Sequence, residues 1–307
     1  MAETPAGARA STAPRTGPRI ARGLGILLLL APALLLLAVF FLLPLYELLR
    51  VSTLPGQAAV LHGTAWRTLS MYGRGLGDPF YRELMLNSVL VGLATTVAAL
   101  LVGYPVAFYL TRATGLERTL ISAACLLPLF VNAIVGILGW YILLLPFGVI
   151  QQILVGLGAW SGPLRVLHTF PALIAVLTYE HVPFAVLLLV ASLQAIPPER
   201  INAARLLGAG TMRIIWTLIL PLSMPGLVAT AVLVFSLGAS SYLVPILIGG
   251  ASMRVLPLSI FNYGTEQLNW PLAAALSFLM LVLVGLIAYG FSLAMHRMTR
   301  RDAWGAI

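Results

Sequence analysis

An all-α, polytopic membrane helix bundle with six transmembrane helices is the fold class that this sequence predicts, and three observations predict it. Apolar residues make up 60% of the 307, and charged residues only 9%; a soluble domain carries about a quarter charged. The apolar residues gather in six separate runs, each close to the ~20 residues that cross a bilayer. All 18 basic residues are arginine, and most lie between the runs rather than in them.

Residues 1–19, rich in Ala, Thr, Pro and Gly, predict a disordered tail. The domain proper is expected over 20–300, with a short C-terminal tail at 301–307. The first run, Leu24 to Tyr46, follows Arg9, Arg15, Arg19 and Arg22 in the manner of a signal peptide. A secretory apolar core spans only about 7–15 residues, and this one continues to Pro44, so an uncleaved anchor is expected. The further spans are expected at Leu84–Leu110, Leu120–Leu145, Pro171–Leu193, Leu222–Pro245 (with a possible earlier start) and Leu272–Met295. Pro105, Pro128, Pro183 and Pro225 fall within or at the ends of these spans, where each removes a backbone donor and tends to kink its helix. Trp66, Trp140, Trp160 and Trp270 sit near the expected interfaces and read as anchors. The small residues of "SLGASS", 236–241, suit close helix packing.

Several function classes are disfavoured. Without lysine the chain cannot supply the P-loop that grips nucleotide phosphates. The lone Cys125 forms no intrachain disulfide, and His62, His168, His181 and His296 lack metal-ligand spacing. No nucleophile elbow or catalytic triad is visible, so the chain reads as non-catalytic and free of cofactors of its own. The +9 net charge is what cytoplasmic loops of a membrane protein supply, and no nucleic-acid partner is inferred. Membrane lipid is the expected surrounding.

Arginine bias sets the orientation. With a cytoplasmic N-terminus, that side holds Arg9, Arg15, Arg19, Arg22, Arg112, Arg118, Arg200, Arg205, Arg213, Arg297, Arg300 and Arg301. The other holds Arg50, Arg67, Arg74, Arg82, Arg165 and Arg254. Both termini are therefore expected inside, together with the loop at 195–221.

That loop, between the fourth and fifth spans, is the most informative stretch. In "IPPERINAARLLGAG", Pro197 and Pro198 fit a first helical turn, and Glu199 places a negative charge at the positive end of the dipole. Gly208 and Gly210 end the helix. The spacing predicts a short helix lying across the membrane face, with Ala203 and Ala204 as a small-residue surface. On spacing alone, an interfacial helix whose arginines hold lipid head groups fits equally well.

The wider pattern "NAARLLGAGTMRIIWTLILP" resembles the cytoplasmic loop of permease subunits of binding-protein-dependent ABC importers: Glu-Ala-Ala, three residues, Gly, nine residues, Ile-x-Leu-Pro. Ala203 and Ala204 match the alanines, Gly208 the glycine, and Leu220 and Pro221 the ending. Leu218 stands for the isoleucine, and Asn202 stands where the family has glutamate. "LNSVLVGLATTVAALLVGYPVAFYLTR", "LPLFVNAIVGILGW" and "NWPLAAALSFLM" also resemble such permeases, most of all the first-type subunit of spermidine/putrescine importers.

The resemblance implies a bacterial inner-membrane subunit forming half of a translocation pathway. Its implied partners are a second homologous permease subunit, a cytoplasmic ATPase dimer that binds the ATP and Mg, and an extracytoplasmic solute-binding protein. It makes the short helix a coupling helix, with Asn202, Ala203, Ala204, Arg205, Gly208, Arg213, Leu220 and Pro221 as the coupling set. A cationic, polyamine-type solute is implied; relatives that carry iron, thiamine or phosphonates share much of the framework. An ATPase-independent secondary transporter is the rival class, but such folds commonly carry internal repeats, and none is convincing here.

One acid stands out in the fourth span. Glu180, in "TYEHVPF", lies inside an apolar run, where an unpaired charge costs about 2.5 kcal/mol or more. Two roles are open to it: a structural bond to a neighbouring helix such as the one carrying Asn132, or the lining of a pathway together with Tyr179. His181 points away from Glu180 on a helix, so the two are not expected to satisfy each other.

Overall fold

A computed structural model describes residues 29–57, 60, 67–158, 165–250 and 253–304, with side chains to residue 293. The N-terminal tail, Trp66, Trp160, His62 and residues 305–307 lie outside the described residues, as do the arginines at 9, 15, 19 and 22. Among the described residues, six stretches are long and apolar enough to cross a membrane. Residues up to Arg50 form one unit and those from Val51 onward another.

The first unit contributes most of α1 (Leu29–Ser52), which contains a π-helical turn at Ala38–Leu42 and an exposed Glu47–Arg50 ion pair at 3.1 Å. The second unit contains α2 (Ser70–Gly77), α3 (Pro79–Leu110), α4 (Gly115–Phe130), α5 (Ala133–Leu144), α6 (Val149–Gly156), α7 (Phe170–Gln194), α8 (Pro198–Leu206) and α10 (Leu256–Thr265). Between α8 and α10 lies α9 (Thr211–Ser240), and α11 (Trp270–Trp304) closes the chain. The tail expected from 301 thus begins as a continuation of the last helix.

Local chemistry fixes these ends. The Asp78 carboxylate accepts from the Phe80 amide at 2.9 Å, with Pro79 in the first turn of α3. Thr169 caps α7 in the same way. Within the spans, hydroxyls donate back to carbonyls one turn earlier: Ser88 to Leu84, Thr96 to Gly92 and Thr230 to Gly226. These three hydroxyls are satisfied inside their own helix, as a medium without water favours.

Two expected spans differ from the structure. The third, expected as one helix over Leu120–Leu145, breaks at Val131 and Asn132 into α4 and α5. Pro128 supplies no amide donor near the end of α4, Val131 turns extended, and the Asn132 side chain accepts from the Ile134 amide at 2.9 Å to start a new helix. The membrane-length segment here is Ala133–Gly156. The fifth begins at Thr211, contains a π-helical turn at Ile215–Ile219, and ends at Ser240 rather than Pro245. The chain then reverses through a π turn at Pro245–Gly249 and a left-handed Gly250 (φ 63°), where a Cβ would come within 2.6 Å of His168 Nδ1.

The core is the mutual packing of α3, α7 and α9. Small residues let these helices approach closely. Gly238 faces Thr95, Gly103 faces Ala185, and Gly226 faces Ser192, so the small-residue stretch at 236–241 does mark a helix contact. At Gly92 an added Cβ would sit 2.8 Å from Ala239 Cβ and 3.0 Å from the Phe235 ring. Gly92→Ala is therefore expected to overpack the core by about 1–3 kcal/mol, seen as a lowered midpoint of thermal unfolding in detergent. An unchanged midpoint would mean that α3 and α9 slide apart without cost.

Candidate functional site

Two regions gather the residues singled out in the sequence. The first is the loop between α7 and α9. Glu199 occupies the first turn of α8 and Arg205 its last, both favourable to the helix dipole. Gly208 is left-handed (φ 80°); its amide donates to the Arg205 carbonyl at 2.9 Å, and the Ala209 amide donates to the Ala204 carbonyl at 3.1 Å. This paired closure is a Schellman motif, so Gly208 is required by backbone conformation; a side chain there would meet open space.

The helix has an inner and an outer face. Ile201, Ala204 and Ala209 pack against the cluster of Ala107 and Leu110 at the end of α3, Leu193 of α7, Ile196 just beyond it, and Ile214 and Ile219 of α9. Outward lie Asn202, Ala203 and Arg205, together with Leu206 and Leu207, which are 89% and 88% exposed. The two alanines therefore do not share a surface. Ala203 faces out, while Ala204 seats the helix on the span ends. Arg213 is exposed in the first turn of α9. Leu220 and Pro221 lie in the body of α9, and the Leu220 carbonyl accepts from Ser223 Oγ, which in turn meets the Tyr104 hydroxyl of α3 at 3.1 Å. The loop proper is thus shorter than 195–221, because its second half is already span.

Sequence reasoning missed Leu206 and Leu207 as outward groups, and it missed Arg112. The Arg112 guanidinium lies 3.8 Å over the Phe108 ring, and Phe108 packs in the same cluster as the loop. Burial, and after it the Arg205 guanidinium, lowers the pKa of Arg112 from the usual arginine value. Arg112 and Arg205 thus stand within electrostatic reach of each other, and Arg205 adjoins the two bare leucines in sequence.

The second region is a cavity of about 190 Å³ that brings Asn132, Tyr179 and Glu180 together, walled by Pro128, Val131, Gly136, Val176 and Phe184. Tyr179 and Glu180 lie within a turn of the midpoint of α7, so the break between α4 and α5 stands beside them at the same depth. Irregular backbone at such depth is tolerated where it is buried in protein or lines a hydrated cavity. Trp140, read from sequence as an interface anchor, instead packs edge-to-face on Tyr179 with centroids 5.4 Å apart.

Glu180 Oε2 is buried without a hydrogen-bonding protein group, as are Thr95 Oγ1 and Thr178 Oγ1. No hydrogen bond joins Glu180 Oε2 to Asn132 among the described residues; the Asn132 side-chain oxygen instead caps α5. Glu180 Oε2 and His181 Nδ1 approach to 3.9 Å, beyond hydrogen-bond length. The site therefore offers an acceptor at mid-span beside an aromatic ring.

Residues 99–301 match the family described as binding-protein-dependent transport system inner membrane component. The spermidine/putrescine transport system permease protein PotB of Haemophilus influenzae is 31% identical over 226 residues, covering 74% of this chain and 79% of the relative. PotB of Escherichia coli K12 is 33% identical over 220 residues, covering 72% and 80%. In fold, the chain is similar to a chain of a bacterial ABC transporter involved in importing the polysaccharide alginate, with a TM-score of 0.72 at 17% identity, covering 91% of this chain and 98% of that one.

Proposed function

The chain belongs to the family of inner-membrane components of binding-protein-dependent transport systems, and from that premise we propose how this ABC importer permease works. It forms half of a pathway for a cationic, polyamine-type solute, paired with a second permease subunit. Hydrolysis of ATP with Mg takes place on a separate ATPase dimer, and this chain is the non-catalytic part that converts closure of the dimer into motion of the spans. The observation that carries the reading is the α8 surface, where two nearly bare leucines and Arg205 project from a helix whose other face is seated on α3, α7 and α9.

The physics of coupling follows from that seating. Apolar side chains this exposed gain about 1.5–3 kcal/mol each on burial, which favours a partner with an apolar groove. The Schellman closure keeps α8 from fraying, and Ala204 with Ile201 fixes it to the span ends. Displacement of α8 therefore moves α3, α7 and α9 together. Exposed Arg205 and Arg213, with Arg112 within electrostatic reach of Arg205, favour acidic groups around that groove.

Similarity to PotB supports a polyamine-type solute, and the mid-span cavity supports it independently. A carboxylate with no hydrogen-bonding protein group at Oε2, beside Tyr179, is suited to an ammonium group through charge and the face of an aromatic ring. Uptake of radiolabelled putrescine and spermidine by the assembled transporter tests the substrate class. Competition by short polyamines but not by neutral or anionic solutes of equal length is expected; preference for an anion would overturn the cationic reading.

Both termini and α8 are placed in the cytoplasm by arginine bias, with residues 50–82 outside. In a Cys125→Ser background, Gly56→Cys is expected to react with an impermeant thiol reagent added to the outer face, and Arg118→Cys only after the membrane is breached. The opposite labelling pattern would invert the topology.

A further inference from the structure

The end of the bundle opposite α8 carries a polar cavity that the coupling and pathway readings leave unused. Since α9 crosses once, the residues after Ser240 lie at the far end from the 198–210 loop. There Phe80, Arg254, Ser259, Asn262, Tyr263 and Gln267 line about 280 Å³. The framework is fixed by α3. Asn87 Nδ2 donates to the Arg254 carbonyl at 3.0 Å, and the Leu256 amide donates to Ser88 Oγ at 2.8 Å. Tyr263 is held by a hydroxyl contact with Tyr81 at 2.9 Å.

The lining is one-sided in charge. Arg254, Ser259, Asn262 and Gln267 all offer donors, and no carboxylate is in the wall. Asp78, the acid at the start of α3, is engaged in capping it. The Arg254 guanidinium stands 5.9 Å from the Phe80 ring centroid, the outer limit of a cation–π contact. No ion pair engages it among the described residues. An arginine fork on a backbone held by Asn87, set among neutral donors, complements a carboxylate.

We propose that this cavity is the socket for an acidic side chain of the extracytoplasmic solute-binding protein, with Arg254 as its principal contact. The inference rests on the proposed topology, which puts this end outside. Two features favour a partner's side chain over a passing solute. The proposed solute is cationic and is repelled by Arg254, and a binding-protein-dependent system has to seat its delivery protein on the outer face. Charge complementarity of this kind fixes register and speeds encounter.

The test uses the transporter assembled with its ATPase in nanodiscs and its own purified binding protein, with affinity read by surface binding. Arg254→Glu is expected to weaken binding about tenfold or more, the scale of one lost charge-assisted bond. Arg254→Lys should fall between, because an ammonium cannot form the fork. A single Asp or Glu→Arg exchange on the binding protein should restore affinity to Arg254→Glu. Should Arg254→Glu fail to co-elute with the ATPase, Asn262→Asp, which places a carboxylate in the same wall, decides the matter by the same loss. Undiminished affinity in the assembled variant overturns the proposal. So does a change in solute preference at unchanged binding-protein affinity, which would assign the cavity to the solute. An inverted topology would show in the cysteine labelling at Gly56 and Arg118, separately from either result.

Discussion

Replacing Leu206 and Leu207 together by aspartate is expected to reduce solute uptake to background while the chain still inserts and runs as a folded species. Both side chains are almost wholly exposed, so the substitutions disturb no packing within the chain. Each leucine removed from a partner's groove forfeits about 1.5–3 kcal/mol, and the introduced carboxylates add a desolvation cost. Docking of the ATPase should weaken by a hundredfold or more on that scale. The measurements are uptake, and recovery of the ATPase with affinity-purified permease. Full uptake by the double variant would return α8 to the role of a lipid-bound interfacial helix.

Neighbouring substitutions should separate docking from seating. Gly208→Ala forces a left-handed conformation on an L-residue, costing about 1–2 kcal/mol, and should loosen the end of α8 without touching a partner. Ala204→Trp acts differently from what spacing implies. Ala204 faces the cluster of Leu110, Ile196 and Ile214, so an indole there unseats the helix from its own spans instead of pushing the ATPase away.

Glu180→Gln is the second large expected effect. It keeps shape and removes charge at mid-span, where Oε2 is buried without a protein partner. If the carboxylate attracts an ammonium group, uptake at limiting solute should fall by about ten- to a hundredfold, the worth of one charge-assisted hydrogen bond. Co-purification with the ATPase should persist. Unchanged uptake would remove Glu180 from the pathway, and failure to assemble would make it structural.

The sequence disclosed the loop well because its cues are local. Pro197, Pro198, Glu199 and Gly208 each report a backbone requirement that is met within a few residues. It did not disclose which face of α8 points outward, since Ala203, Ala204, Leu206 and Leu207 are all compatible with either side and only the span ends decide. The break at Val131–Asn132 was hidden for a different reason. Residues 120–145 form one apolar run, and hydropathy does not register a backbone that leaves the helix near Pro128 and restarts on an asparagine cap. Glu180 was visible as an acid in apolar company. Its cavity with Asn132 and Tyr179 was only half visible, because the non-helical turn reaches it through tertiary packing. Arg254 gave no signal beyond an arginine in a loop; its meaning depends on Asn87 and Ser88, more than a hundred and sixty residues away in sequence.

The central claim is that α8 is the surface on which the ATPase acts, and site-directed cross-linking tests it most directly. Leu207→Cys in a Cys125→Ser background, paired with single cysteines along the groove of the ATPase, should give a cross-linked permease–ATPase species with a short bifunctional maleimide. Its yield should change between the nucleotide-free and Mg-ATP-bound states as the dimer closes. Equal thiol labelling of Leu207→Cys with and without the ATPase, and no cross-linked species in either state, would contradict the account.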